Sequence, residues 1–111
     1  MKRSHSVSGI TNKANQYMEA VGNNILIAIK KRGLKREDVA EMSMLSLPTL
    51  RKVLKGDPTV GFGCYVAVLD SLGLAENITH IANPKEDEVG MALSEKKLAQ
   101  RIKTKKSKYE F

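Results

Sequence analysis

A length of 111 residues, 41% of them hydrophobic and 5% aromatic with no Trp, fits one small helical domain with tails around a Leu/Ile/Val/Met core. A formal charge of +7 and a pI near 9.6 imply an anionic partner, nucleic acid first and a membrane surface second. The lone Cys64 excludes an intramolecular disulfide framework and fits a reducing cytoplasm.

No signal peptide is expected, because Lys2-Arg3 leads into Ser and His instead of an apolar run. The longest aliphatic run, residues 25–29, is too short to cross a bilayer. The expectation is a cytoplasmic protein with no membrane partner. Charge is unevenly spread. Residues 1–60 carry 11 Lys/Arg against 5 Asp/Glu, residues 61–93 carry 1 against 5, and residues 94–111 carry 7 against 2. One face for an anion and another for something else is one reading; an acidic stretch that merely solvates its own surface is the other.

Residues 1–14 are rich in Ser, Asn and Lys without periodicity, and are expected to form a flexible arm. His5 has no partner in sequence and is given no role. From about Gln16 to Arg32 a first helix is expected, with Tyr17, Val21, Ile25, Leu26 and Ile29 at helical spacing. Lys30, Lys31 and Arg32 crowd its last turn, where cations favour the helix dipole. Gly33 ends it, and Leu34 should dip into the core.

Two short helical patterns follow, and the rest of the chain is organised around them. The first starts near Arg36, with Glu37 and Asp38 in its first turn and Val39 and Ala40 inward. The second has Ser46 as N-cap, Pro48 in its first turn and Leu47, Leu50, Val53 and Leu54 at 3-4 spacing, and stops at Gly56. Two helices of about two turns joined by a few residues are the signature of a helix-turn-helix. Thr49, Arg51, Lys52 and Lys55 fall on faces not needed for packing. They make a basic surface of a size to enter a major groove.

Asp57-Pro58 forces an extended exit. Phe62, Tyr65, Val66, Leu69 and Leu72 then form an apolar stripe on a fourth helix, widened by Ala67 and Val68 and ended by Gly73. A short fifth helix is expected at 75–82, using Ile78 and Ile81, with Asn83-Pro84 as a stop. Beyond it, Val89, Met91, Leu93, Leu98 and Ile102 suggest a modest amphipathic helix, followed by a basic tail too polar to bury. The expected organisation is an arm at 1–14, an all-α globular domain at 15–83 and a partly helical basic extension at 84–111.

The stretch G-N-N-I-L-I-A-I-K-K-R-G-L-K-R-E-D-V-A, followed by S-L-P-T-L-R-K-V-L-K-G-D-P-T-V-G-F-G-C-Y-V-A-V-L-D-S-L-G-L, resembles the Xre/Cro-repressor helix-turn-helix family over roughly residues 20–82. The G-D-P-T-V-G linker and I-A-N-P-K-E-D-E-V-G-M-A-L look most like the HipB-like branch, antitoxins that repress their own operon and bind a HipA-type kinase toxin. The resemblance implies a five-helix lambda-repressor-like fold. It further implies a HipA-like Ser/Thr kinase as partner. A homodimer on a palindromic double-stranded DNA operator is expected on other grounds, since two linked half-sites gain effective concentration without new contacts. The resemblance places Ser46, Leu47, Pro48, Thr49 and Lys52 toward the groove and makes Leu50 and Val53 core. Arg36 matches a phosphate-contacting position, and Lys55 and Thr59 lie where the family approaches the backbone again.

Three departures stand out. Met44 occupies a turn position where the family often has Gly, so the turn differs or accepts a strained residue. Leu47 and Pro48 replace polar groove residues, which would trade a hydrogen bond for contact with a thymine methyl. Ile29 and Leu54 stand where many relatives have an Arg–Glu pair, a replacement that is often neutral or stabilising.

Lys52 and Arg51 have two readings, as base readers or as phosphate clamps. Thr49 reads as a phosphate or base-edge contact, or as a structural hydroxyl. The fourth-helix stripe either closes the monomer core or in part forms an isologous dimer interface. No enzyme is expected: Cys64 reads as a buried thiol, His80 is isolated, and no zinc spacing, phosphate-cradling loop or paired-carboxylate pocket pattern is visible, so neither metal nor cofactor is implied. The expected function is an autoregulating repressor and antitoxin, with basic arm and tail adding non-specific affinity. A plain regulator without a toxin, or an interaction adaptor that keeps the fold as a scaffold, is the alternative.

Overall fold

The computed structural model describes residues 10–109, and its regular elements are all helical. Four α-helices occupy the N-terminal part: α1 (Asn12–Lys31), α2 (Arg36–Met42), α3 (Leu47–Leu54) and α4 (Phe62–Ser71). A 3₁₀ helix (Ala75–His80), a 3₁₀ turn (Pro84–Glu86) and the long α5 (Glu88–Tyr109) complete the order. The chain divides into two compact units, Met1–Glu76 and Asn77–Phe111.

In the first unit, α3 is the hub. It packs on α1, α2 and α4, and α2 also packs on α4. Ile25 and Ile29 of α1, Val39 and Ala40 of α2, Leu50, Val53 and Leu54 of α3, and Tyr65 and Val68 of α4 form one buried cluster with Leu72. Spacings of three and four residues put these side chains on one face of each helix, and that shared apolar surface drives the assembly. Ile29 and Leu54 are both inside it, where a charged pair would have needed desolvation.

The connections follow a single rule. Each of the four helices ends with a C′ residue of positive φ, whose amide bonds back three residues, followed by an amide that bonds back five. This is the Schellman arrangement. The pairs are Gly33 to Lys30 and Leu34 to Ile29; Met44 to Glu41 and Leu45 to Ala40; Gly56 to Val53 and Asp57 to Lys52; Gly73 to Asp70 and Leu74 to Leu69. At three of the four ends the next residue is Leu (34, 45, 74), packed against the core. Met44 is the exception in residue type: φ is 58° and its side chain is 91% exposed, so the turn keeps its shape at the cost of a strained L-residue.

Gly22 and Gly56 hold α1 against the end of α3. A Cβ on Gly22 would lie 2.6 Å from the Gly56 amide nitrogen and 2.7 Å from the carbonyl oxygens of Val53 and Leu54. A Cβ on Gly56 would strike the backbone of Met18 and Glu19. Only side chains without a Cβ fit this crossing.

The structure corrects several boundaries. The first helix starts at Asn12, four residues earlier than expected, because Thr11 accepts a 3.0 Å hydrogen bond from the Ala14 amide as N-cap. Residues 12–14 are therefore helical and not part of an arm; residues 1–9 lie outside the described residues. Tyr17, Val21 and Phe62 lie outside the core although they share a helix face with buried residues, Phe62 being 59% exposed. The expected fifth helix at 75–82 is a 3₁₀ helix ending at His80, and Ile81 is 62% exposed. Asn83 then caps the next turn, its side chain accepting from the Lys85 amide at 3.0 Å, and Ala82 before it has φ 56°.

The second unit holds α5, which starts from Asp87: its carboxylate accepts from the Gly90 amide at 3.0 Å and its carbonyl from Met91 at 2.9 Å. The helix runs through the segment expected to be a basic tail, as far as Tyr109. Nor is it amphipathic. At about 100° per residue Met91, Leu98 and Ile102 share one side while Val89 and Leu93 lie opposite, and every residue from 91 to 103 is exposed.

Candidate nucleic-acid interface

The four residues Ser43–Ser46 join α2 to α3, and both ends of that turn are pinned. At the first end the buried Ser43 hydroxyl donates to Ser71 Oγ at 3.1 Å, and Ser71 donates to the Val68 carbonyl at 2.7 Å, tying α2 to α4. Without these bonds the buried Ser43 hydroxyl would be a destabilising orphan. At the second end Ser46 Oγ accepts from the Thr49 amide at 3.2 Å and donates to Thr49 Oγ1 at 2.8 Å. Pro48 sits in the first turn, where its missing N–H costs nothing. The start of α3 is therefore fixed without any outside partner.

With Leu50, Val53 and Leu54 buried, the opposite face of α3 presents Pro48, Arg51, Lys52 and Lys55, all exposed and at 3-4 spacing. Arg36, from the start of α2, borders the same ground: it lines an open depression with Arg51 and Lys55, floored by Leu26 and Leu54. Three cations from two helices are thereby gathered around one apolar floor. Such an arrangement lets the aliphatic stems rest on leucine while the charged heads reach an anion.

The remaining site residues from the sequence are placed differently. Ser46 is exposed but committed as a cap, and Thr49 is half-buried, with its oxygen already accepting from Ser46. Leu47 is half-buried and packs against the core, so only part of its side chain is left for a groove surface. Thr59 is exposed, but its hydroxyl donates to Asp57 Oδ1 at 2.6 Å and its amide to the same oxygen at 2.8 Å. Its proton is spent inside the loop, so it is not free to donate to a phosphate.

Sequence reasoning passed over Asp57, which shapes the electrostatics. The hydroxyl and amide of Thr59 hold its carboxyl below the usual aspartate value, with smaller help from the nearby charges of Lys52 and Lys55 and against a small desolvation penalty. One carboxylate therefore stands beside the basic stripe and offsets part of it. The loop carrying it is anchored from below: the buried Tyr65 hydroxyl donates to the Asp57 carbonyl at 2.8 Å. Burial first, then the Asp57 charge and Cys64, push the Tyr65 phenol up to about 12. The sequence signal for this loop was Asp-Pro-Thr, an Asx-turn pattern. The tyrosine eight residues on left no such local trace.

Among the described residues no cluster of three His, Cys, Asp or Glu side chains is arranged to hold a metal ion, and no helix is long and apolar enough to cross a membrane. Cys64 is half-buried and His80 is exposed. No family model matches the chain, and no curated protein or solved structure matches it.

Proposed function

We propose that the chain is a sequence-specific DNA-binding repressor with a lambda-repressor-like helix-turn-helix, in which α3 enters a major groove. The observation that carries this reading is the outward stripe Pro48, Arg51, Lys52 and Lys55 on a short helix fixed at both ends, with Arg36 beside it. A capped helix held rigidly by a core presents its side chains in one arrangement, which base readout requires. Lys52 takes the role of base reader, Arg36, Arg51 and Lys55 that of phosphate contacts, and Ser46 and Thr49 that of fixing the helix start. Pro48 supplies an apolar edge.

A homodimer follows from the same reading, because one short helix gives few contacts and two linked half-sites about one turn apart multiply them. The exposed Phe62, with half-buried Val66 and Leu69 on the same helix, offers apolar surface for the twofold contact. The narrower reading, an antitoxin that binds a HipA-like kinase and represses its own operon, rests on the resemblance of the G-D-P-T-V-G linker and the segment after Ile81.

The test is Lys52→Ala. Operator binding is expected to weaken by about 1–3 kcal/mol, with little change on random DNA. Equal losses on both duplexes would reduce Lys52 to a phosphate contact.

A further inference from the structure

We infer that the Lys97–Arg101 face of α5 is a second, sequence-independent nucleic-acid element that lies along a phosphate backbone. The described residues from Met91 to Lys103 are all exposed, and Lys97 and Arg101 line one shallow depression on the helix with Ser94, Leu98, Gly90 and Leu93. Their charges have no use within the helix itself. Neither residue has an Asp or Glu three or four positions away, and the two stand four apart, where like charges repel. Both lie more than two turns before Tyr109, beyond the last turn in which cations favour the helix dipole. An extended anion removes the repulsion.

The spacing fits a phosphate backbone. Four helical residues advance about 6 Å, a separation that flexible Lys and Arg side chains can span to neighbouring phosphates of one strand. A bilayer fits poorly: a helix lying in a membrane interface needs one apolar face, and here Met91, Leu98 and Ile102 oppose Val89 and Leu93. The preference for nucleic acid over other polyanions rests on the reading of α3 given above.

The experiment is fluorescence anisotropy of the full-length chain on a random-sequence duplex over a range of salt. One variant, Lys97→Ala with Ala99→Lys, moves a cation to the opposite side of α5 without changing composition or net charge. A second, Lys97→Gln with Arg101→Gln, removes both. The slope of log affinity against log salt is expected to become shallower by about 0.9 in the first and about 2 in the second, following the loss of one and two phosphate contacts. Circular dichroism should show both variants as helical and as heat-resistant as the parent, since none of these positions touches the core. A relocated-charge variant that keeps the parental slope would overturn the inference, leaving only diffuse attraction. Capture of the parent by phosphatidylserine vesicles, with duplex binding unchanged in both variants, would overturn it in favour of a membrane. Absence of operator preference with the slope changes intact would sink the α3 reading alone.

Discussion

Met44 shows how a single side chain sets a cost without altering the fold. The hydrogen bonds that close α2 require a positive φ at this position, whatever residue occupies it. A Cβ in that conformation costs about 1–2 kcal/mol, and a fully exposed methionine gains little in return. Met44→Gly is therefore expected to be more stable than Met44→Ala by about 1 kcal/mol, measured by urea unfolding. Equal stability of the two would mean that the turn relaxes out of the left-handed region.

Tyr65 makes a second residue-scale case, and here pH is the probe. Its phenol is raised from the ordinary value of 10 to about 12, so the folded chain holds the proton where the unfolded chain releases it. The stabilisation is complete below pH 10 and is lost as pH rises from 10 toward 12. Tyr65→Phe gives up the hydrogen bond to Asp57, at about 1 kcal/mol, but should lose less stability than the parent across that window. Parallel pH curves for the two chains would contradict this placement of the phenol.

At the scale of elements, the crossing of α1 and α3 turns an ordinary preference around. Alanine is better than glycine within a helix by about 1 kcal/mol. At Gly22, however, the added methyl meets three backbone atoms of the α3 terminus, and overpacking of that kind costs up to about 3 kcal/mol. Gly22→Ala should therefore lower stability by about 2 kcal/mol in thermal or urea unfolding. A stabilised variant would show that α1 stands off from α3.

What was legible in the sequence follows the range of the forces involved. The caps Ser46, Gly33, Gly56 and Gly73, and the inward set Val39, Ala40, Leu50 and Val53, were readable because local hydrogen bonds and helical period leave regular traces. The exposed cations of α3 were readable as what remained after packing. The inward packing of Leu47 and the exposure of Phe62 were not legible, because the choice between core and surface at a helix start depends on neighbours distant in sequence. The bond from Thr59 to Asp57 was local and was passed over. Gly22 gave a signal that went unread: an isolated glycine inside a helical pattern marks a close approach. The long α5 was underestimated, since its apolar residues lie on two sides and leave no period to detect.

The whole chain combines a small packed unit with an exposed helix, and the two carry different kinds of information. The unit Met1–Glu76 carries the basic stripe to which we assign sequence reading. The unit Asn77–Phe111 carries α5, whose cations suit a backbone of any sequence. Both depend on the same physical asymmetry: cations that no internal contact consumes are the ones left for a partner. Sequence preference and salt dependence then separate the two contributions, because base contacts discriminate between duplexes whereas phosphate contacts respond mainly to salt.

The most direct measurement is fluorescence anisotropy of the purified chain on DNA from immediately upstream of its own gene, against a scrambled duplex of equal length at physiological salt. The account predicts binding to the native duplex at least about a thousandfold tighter than to the scrambled one, the lower end of specific recognition. Equal affinity for the two duplexes, collapsing together as salt rises, would contradict it and leave only a basic surface with no sequence to read.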